Sequence, residues 1–180
     1  FRVFYGSISN IPMRHLQTAK GFGLDAIVSI DGDDILCSTR GMRRVYDALR
    51  NGAVYVKTSD LPFGMNSFGY TVPFLERSVA AQGSDVLETG WGRIFDASRL
   101  LELSMDFKVQ DDMLRFTLDY DEDFLFFKSI IEKLGEKVYD IPDDELVDVV
   151  LSEKFYTITA PVVKEYWENF NATLENEKKE

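Results

Sequence analysis

Apolar and polar positions along this chain of 180 residues switch repeatedly between a two-residue and a helical period. Phe1-Arg-Val-Phe-Tyr5 alternates as a strand does. Ser9 or Asn10 can then cap a helix that Gly21-Phe22-Gly23 stops. Leu24 to Ile30 reads as a buried strand and runs into Asp31-Gly32-Asp33-Asp34. Ser38 precedes a second helix with Met42, Val45, Tyr46 and Leu49 on one stripe and Asn51-Gly52 as its terminator. Ala53 to Lys57 is a third strand. A turn-rich stretch over 58–70 leads to a strand around Phe68-Gly-Tyr70, and a helix follows near Pro73 to Ala81.

The second half is read in the same way. Residues 83–98 have no clear period and are expected over a site or at a subunit contact. Leu114-Arg-Phe-Thr-Leu118 is a strand that enters Asp119-Tyr-Asp-Glu-Asp123. A helix follows with Phe124, Phe127, Ile131 and Leu134 on one face. Two acidic helices, about 143–152 and 161–176, close the chain. The alternation of strand and helix predicts an α/β architecture with a mostly parallel mixed sheet flanked by helices. Residues 1–140 form the main domain, and 141–180 a helical extension packed on it.

Composition narrows the function. Apolar residues make up 45% of the chain and aromatics 13%, as in a packed globular protein. The net charge of −11 excludes a general nucleic-acid binder, which needs a basic face, but not a nucleotide held by a few local groups. One cysteine, Cys37, permits no internal disulfide, and with a lone His15 it makes zinc ligation improbable. His15 reads as an ordinary helix residue. No signal peptide and no membrane-length apolar run is present, so the expected location is the cytoplasm, with no membrane insertion. A chain that opens at Phe1 inside a strand points to a preceding segment outside this sequence.

Chemistry gathers at strand ends. Asp33 and Asp119 each follow a strand and precede a helix, so both fall on the rim where open α/β sheets bind ligands. Two carboxylates there suit Mg²⁺, which takes one or two of them together with substrate phosphates. Asp121, Glu122 and Asp123 are read instead as helix N-terminal groups. Asp34 is either a solvated loop residue or a partner of the ligands.

The order of these motifs resembles the sugar nucleotidyltransferases related to spore-coat polysaccharide biosynthesis protein F. They lie within the cytidylyltransferase superfamily of the acylneuraminate and 3-deoxy-manno-octulosonate enzymes. Val3-Phe-Tyr-Gly-Ser7 through Arg14 is similar to the family's strand, Gly-Ser turn and arginine-bearing helix. Val28-Ser-Ile-Asp-Gly-Asp-Asp-Ile-Leu36 is similar to its strand ending in Gly-Asp, and Leu61-Pro-Phe-Gly64 to its Leu-Pro-Arg-Gly turn. Arg115-Phe-Thr-Leu-Asp-Tyr-Asp-Glu-Asp-Phe124 resembles its Arg-Trp-Thr-Val-Asp-Thr-Pro-Glu-Asp-Leu segment, the most specific of the four.

The resemblance implies a Rossmann-like nucleotide-diphospho-sugar transferase fold. It also implies a Mg²⁺-dependent transfer from a nucleoside triphosphate, most plausibly CTP, to a sugar or sugar acid for cell-surface polysaccharide synthesis. It makes Asp33 and Asp119 the metal ligands and catalytic residues, with Gly32, Arg14, Arg93, Arg115, Gly64 and Asn66 around the substrates. A homodimer is expected, with the irregular 83–110 region and its apolar Leu100-Leu101-x-Leu103 as its contact. The family's opening Gly-rich nucleotide loop has no counterpart here. Phe63 stands where the family has arginine, and Asn66 and Phe68 where it has an acidic pair. Two other readings stand beside this one. Asp31-Gly32-Asp33 can be the Asp-x-Asp motif of an A-fold glycosyltransferase. Alternatively, Phe63, Phe68, Tyr70 and Trp91 can form the surface of a non-catalytic binding module.

Overall fold

The computed structural model describes residues 1–83, 86–106 and 114–177. Its sheet contains β1 (Ala26–Ser29), β2 (Tyr55–Ser59), β3 (Phe68–Thr71) and β4 (Leu100–Ser104), in the order β1-β3-β2-β4. β3 is antiparallel to both β1 and β2, while β2 pairs in parallel with β4. Three strands therefore run one way and β3 alone opposes them. The sheet is mixed and mostly parallel in direction, although only one neighbouring pair is bonded as parallel. Residues 60–67 explain the reversal: they are too few for the crossover of a dozen or more residues that a parallel neighbour needs.

Among the described residues six α-helices accompany the sheet: α1 (Ile11–Phe22), α2 (Thr39–Arg50), α3 (Val72–Ala80), α4 (Asp121–Leu134), α5 (Asp143–Ser152) and α6 (Tyr156–Glu177). Asn10 caps α1 by accepting the Met13 N–H at 2.9 Å, and Gly23 ends it at φ 65°. Ser38 caps α2 through the Gly41 N–H at 2.8 Å. α2 buries Gly41, Val45 and Leu49, whereas Tyr46 of the expected stripe is exposed. The sheet makes room for this helix at Gly69. A Cβ there would stand 2.6 Å from the Ile27 carbonyl and 2.8 Å from Val45 Cγ1.

Three apolar clusters hold the layers together. Val45, Leu49 and Val56 lie between α2 and the sheet. Leu16, Tyr70, Phe74, Leu75, Leu87, Trp91 and Phe95 fill the space by α1 and α3. Tyr70 and Trp91 are thus core, not the aromatic docking surface that the sequence suggested. The third cluster joins Leu61, Met65 and Phe116 to Phe126, Phe127 and Ile130 of α4 and to Leu146, Val147 and Val150 of α5. Truncating one of its phenylalanines to alanine costs about 3–5 kcal/mol.

Several expectations change. Residues 1–7 form no strand: Phe1, Val3 and Tyr5 are exposed, and Phe4 packs edge-on against Phe22 at 6.0 Å. Residues 114–118 are extended but contribute one bridge, Arg115 to Phe63, rather than a sheet strand. The buried face of α4 is Asp123, Phe126, Phe127 and Ile130, leaving Phe124 and Ile131 exposed. The helix is turned by its buried Asp123, which is anchored on Arg115. α6 begins ahead of its expected start and runs through Pro161. A proline so near the N-terminus removes a single backbone bond. Leu100 to Ser104, expected as an irregular subunit contact, is the edge strand β4. Of the 83–110 region expected to carry that contact, residues 84, 85 and 107–110 lie outside the described residues. No helix among the described residues is long and apolar enough to cross a membrane.

Candidate active site

β1 and β2 point the same way, so the loops that leave their C-terminal ends share one edge of the sheet. Asp31 to Asp34 follows β1, and Asp60 to Ser67 follows β2. The segment 114–120 is laid against both. The Phe116 N–H donates to the Phe63 carbonyl at 2.8 Å, and the Leu118 N–H to the Asp33 carbonyl at 3.1 Å. Gly64 permits this approach. Its φ is 84°, and a Cβ would collide with the Phe116 carbonyl. Asp33 and Asp119 are thereby brought to one point. Thr117 Oγ1 lies 3.1 Å from Oδ2 of each. One hydroxyl has one proton and can serve only one carboxylate at a time.

Asp119 is held from behind by Arg115, whose side chain is fully buried. Arg115 Nη1 donates to Asp119 Oδ2 at 2.7 Å, and Nη2 to the two Asp123 oxygens at 2.5 and 2.6 Å. The Tyr166 ring of α6 covers the guanidinium at 4.1 Å. Asp123 Oδ2 also accepts the backbone N–H groups of Asp119 and Tyr120, both at 2.9 Å. Asp123 is therefore the helix-capping group that its position predicts. Arg115 positions Asp119 and does not line the cavity. Arg93 is also engaged elsewhere, donating to Glu177 Oε2 at 2.8 Å.

An open cavity of about 770 Å³ lies over this edge. Of the residues singled out in the sequence, Arg14, Gly32, Asp33, Gly64, Asn66 and Asp119 line it. A Cβ at Gly32 would meet nothing within 4 Å, so the backbone there is accessible. Asn66 supports its own turn: Nδ2 donates to the Leu61 carbonyl at 3.0 Å and Oδ1 accepts from Thr58 Oγ1 at 3.2 Å. Lys57, Tyr166 and Asn169 also line the cavity and were missed. The outward register of Lys57 on its strand was a usable signal. Tyr166 and Asn169 carried none, because only the docking of α6 brings them here. Phe63, which also lines the cavity, meets the Trp167 ring at 5.1 Å.

The site carries an excess of negative charge. Burial pushes the Asp34 carboxyl up to about 8, and the neighbouring Asp33, Asp31 and Asp119 carboxylates add to the shift. Asp31 is also raised, by burial and then Asp33, with Arg14 opposing. Asp119 is raised by burial and by Asp33, against the Thr117 hydroxyl and Arg115. A divalent cation would relieve this repulsion. Among the described residues no group of three or more His, Cys, Asp or Glu side chains is placed to cage a metal. A pair of hard oxygen ligands fits Mg²⁺, which completes its shell with water and phosphate.

No protein-family model matches the sequence, and no curated protein does. Among solved structures, a cytidylyltransferase from Leptospira borgpetersenii serovar Hardjo-bovis (strain JB197) aligns with a TM-score of 0.71 at 22% identity. The alignment covers 86% of this chain and 67% of that one. At this identity the likeness is one of fold: this chain has the α/β fold of that cytidylyltransferase.

Proposed function

We propose that this chain is a Mg²⁺-dependent nucleotidyltransferase that joins a sugar or sugar acid to the cytidylyl group of CTP, for cell-surface polysaccharide synthesis. The observation that carries this reading is the meeting of Asp33 and Asp119 on the Thr117 hydroxyl at the sheet edge. The cytidylyltransferase-like fold supports the nucleotide class.

In the reaction an acceptor oxygen bonds to the α-phosphorus as the bond to the β-phosphate breaks. Pyrophosphate leaves with that electron pair and the acceptor proton passes to solvent. Asp33 and Asp119 would hold the Mg²⁺, which when bound neutralises charge on the phosphate oxygens. Arg115 keeps Asp119 in place, and Gly32 leaves room for phosphate. Arg14 and Lys57 line the cavity without an ion pair among the described residues and offset triphosphate charge.

The test is pyrophosphate release from CTP, ATP, GTP and UTP with a panel of sugars, sugar acids and sugar phosphates, with and without Mg²⁺. The reading expects release that needs both Mg²⁺ and acceptor and is fastest with CTP. Consumption of a nucleotide sugar in place of a triphosphate would instead identify a glycosyltransferase using Asp31-Gly32-Asp33.

A further inference from the structure

Glu177 closes the last turn of α6, where a carboxylate faces the negative end of the helix dipole. It is nevertheless buried and fully engaged. Oε1 accepts the N–H groups of Glu88 at 3.2 Å and Thr89 at 2.6 Å. Oε2 accepts the Gly90 N–H and Arg93 Nη1, both at 2.8 Å. Three successive backbone N–H groups that converge on one anion form a nest, and the arginine supplies its charge.

We infer that the 88–90 backbone and Arg93 form a carboxylate-binding subsite, held by the chain's own Glu177 and available to a small organic acid that displaces it. The donors meet the two Glu177 oxygens in pairs, so the arrangement is already shaped to a carboxylate. Gly90 leaves the approach open: a Cβ would stand 2.6 Å from Leu174 Cδ1 and 3.1 Å from Glu177 Oε2, so these side-chain ends would have to shift. Glu88 and Thr89 also line the main cavity, so an acid has a route to the nest. The occupant is the replaceable partner. Helix ends open at low cost, and Glu177 sits where its own helix disfavours it. A local rule broken in this way is what a functional position shows.

The experiment is a titration of the full chain with glycolate and, separately, inorganic phosphate, followed by the backbone amide resonances of Thr89 and Gly90. No nucleotide or metal is added, so its outcome is independent of the nucleotidyltransferase reading. Glu177→Ala is expected to bind glycolate saturably and at least about tenfold more tightly than the unsubstituted chain, because the internal competitor is gone. Adding Arg93→Ala should abolish that binding, and phosphate should bind more weakly than glycolate. Equal binding with and without Glu177, no saturable binding in Glu177→Ala, or preference for phosphate overturns the inference. Should Glu177→Ala not fold, the unsubstituted chain decides. High glycolate must then shift both amides and speed hydrogen exchange in the last turn of α6, and resonances that stay put refute the subsite.

Discussion

Asp33 and Asp119, far apart in the sequence, share a single hydroxyl: Thr117 Oγ1 is 3.1 Å from an oxygen of each. Backbone bonds set that meeting, since the segment carrying Thr117 and Asp119 is pinned to the carbonyls of Phe63 and Asp33. Asp119 owes its place to Arg115, and Arg115 is in turn held by Asp123. Site and fold are thus tied through one buried arginine.

Replacing Arg115 by methionine keeps its bulk and removes its charge, leaving Asp123 buried without its partner. We expect a loss of about 3–5 kcal/mol in denaturant unfolding, because breaking a buried pair strands the remaining charge. Asp123→Asn should fall in the same range. A loss below 1 kcal/mol in either would show that the pair does not anchor α4.

His15 sets a pH dependence. Burial, with Arg14 beside it, lowers its pKa from 6.5 to about 4, and its Nδ1 shares a hydrogen bond with the buried Tyr70 hydroxyl. Between those values the unfolded chain binds a proton that the folded chain does not. Stability from this group is therefore complete above pH 6.5 and falls as pH drops toward 4, by at most about 3 kcal/mol. His15→Gln keeps an acceptor for Tyr70 without titrating, so its unfolding free energy should fall less over this window. Parallel curves for both proteins would rule out the assignment.

Much of this was legible in the sequence. The caps Asn10 and Ser38, the α5 boundaries and the strand-end placement of Asp31 to Asp34 follow from local chemistry, whereas the segment that carries Asp119 to the site is no sheet strand. Non-local contacts were not legible. The α4 face depends on Asp123 meeting Arg115, and Leu100 to Ser104 reads as irregular because an edge strand needs its pairing with β2 to declare it. Arg93 reads as an anion-binding residue, but only the docking of α6 shows that Glu177 is its anion. Tyr70 and Trp91 look like a surface until α1 and α3 cover them.

Lys57 is exposed on β2 and lines the cavity. Lys57→Met should leave unfolding free energy within about 0.5 kcal/mol, as for a surface change away from a packed feature. It should weaken CTP binding in calorimetry. Unchanged affinity would place the triphosphate away from β2.

The most direct test of the central claim is the thermal shift with Mg²⁺ and CTP, on this chain and on Asp33→Asn. Saturation at a hundred times the dissociation constant adds about 2.7 kcal/mol, a rise of about 5–11 °C at this size. The account predicts that rise only with Mg²⁺ present, and none in Asp33→Asn. A shift that survives without Mg²⁺, or that Asp33→Asn retains, would contradict a metal site at Asp33 and Asp119.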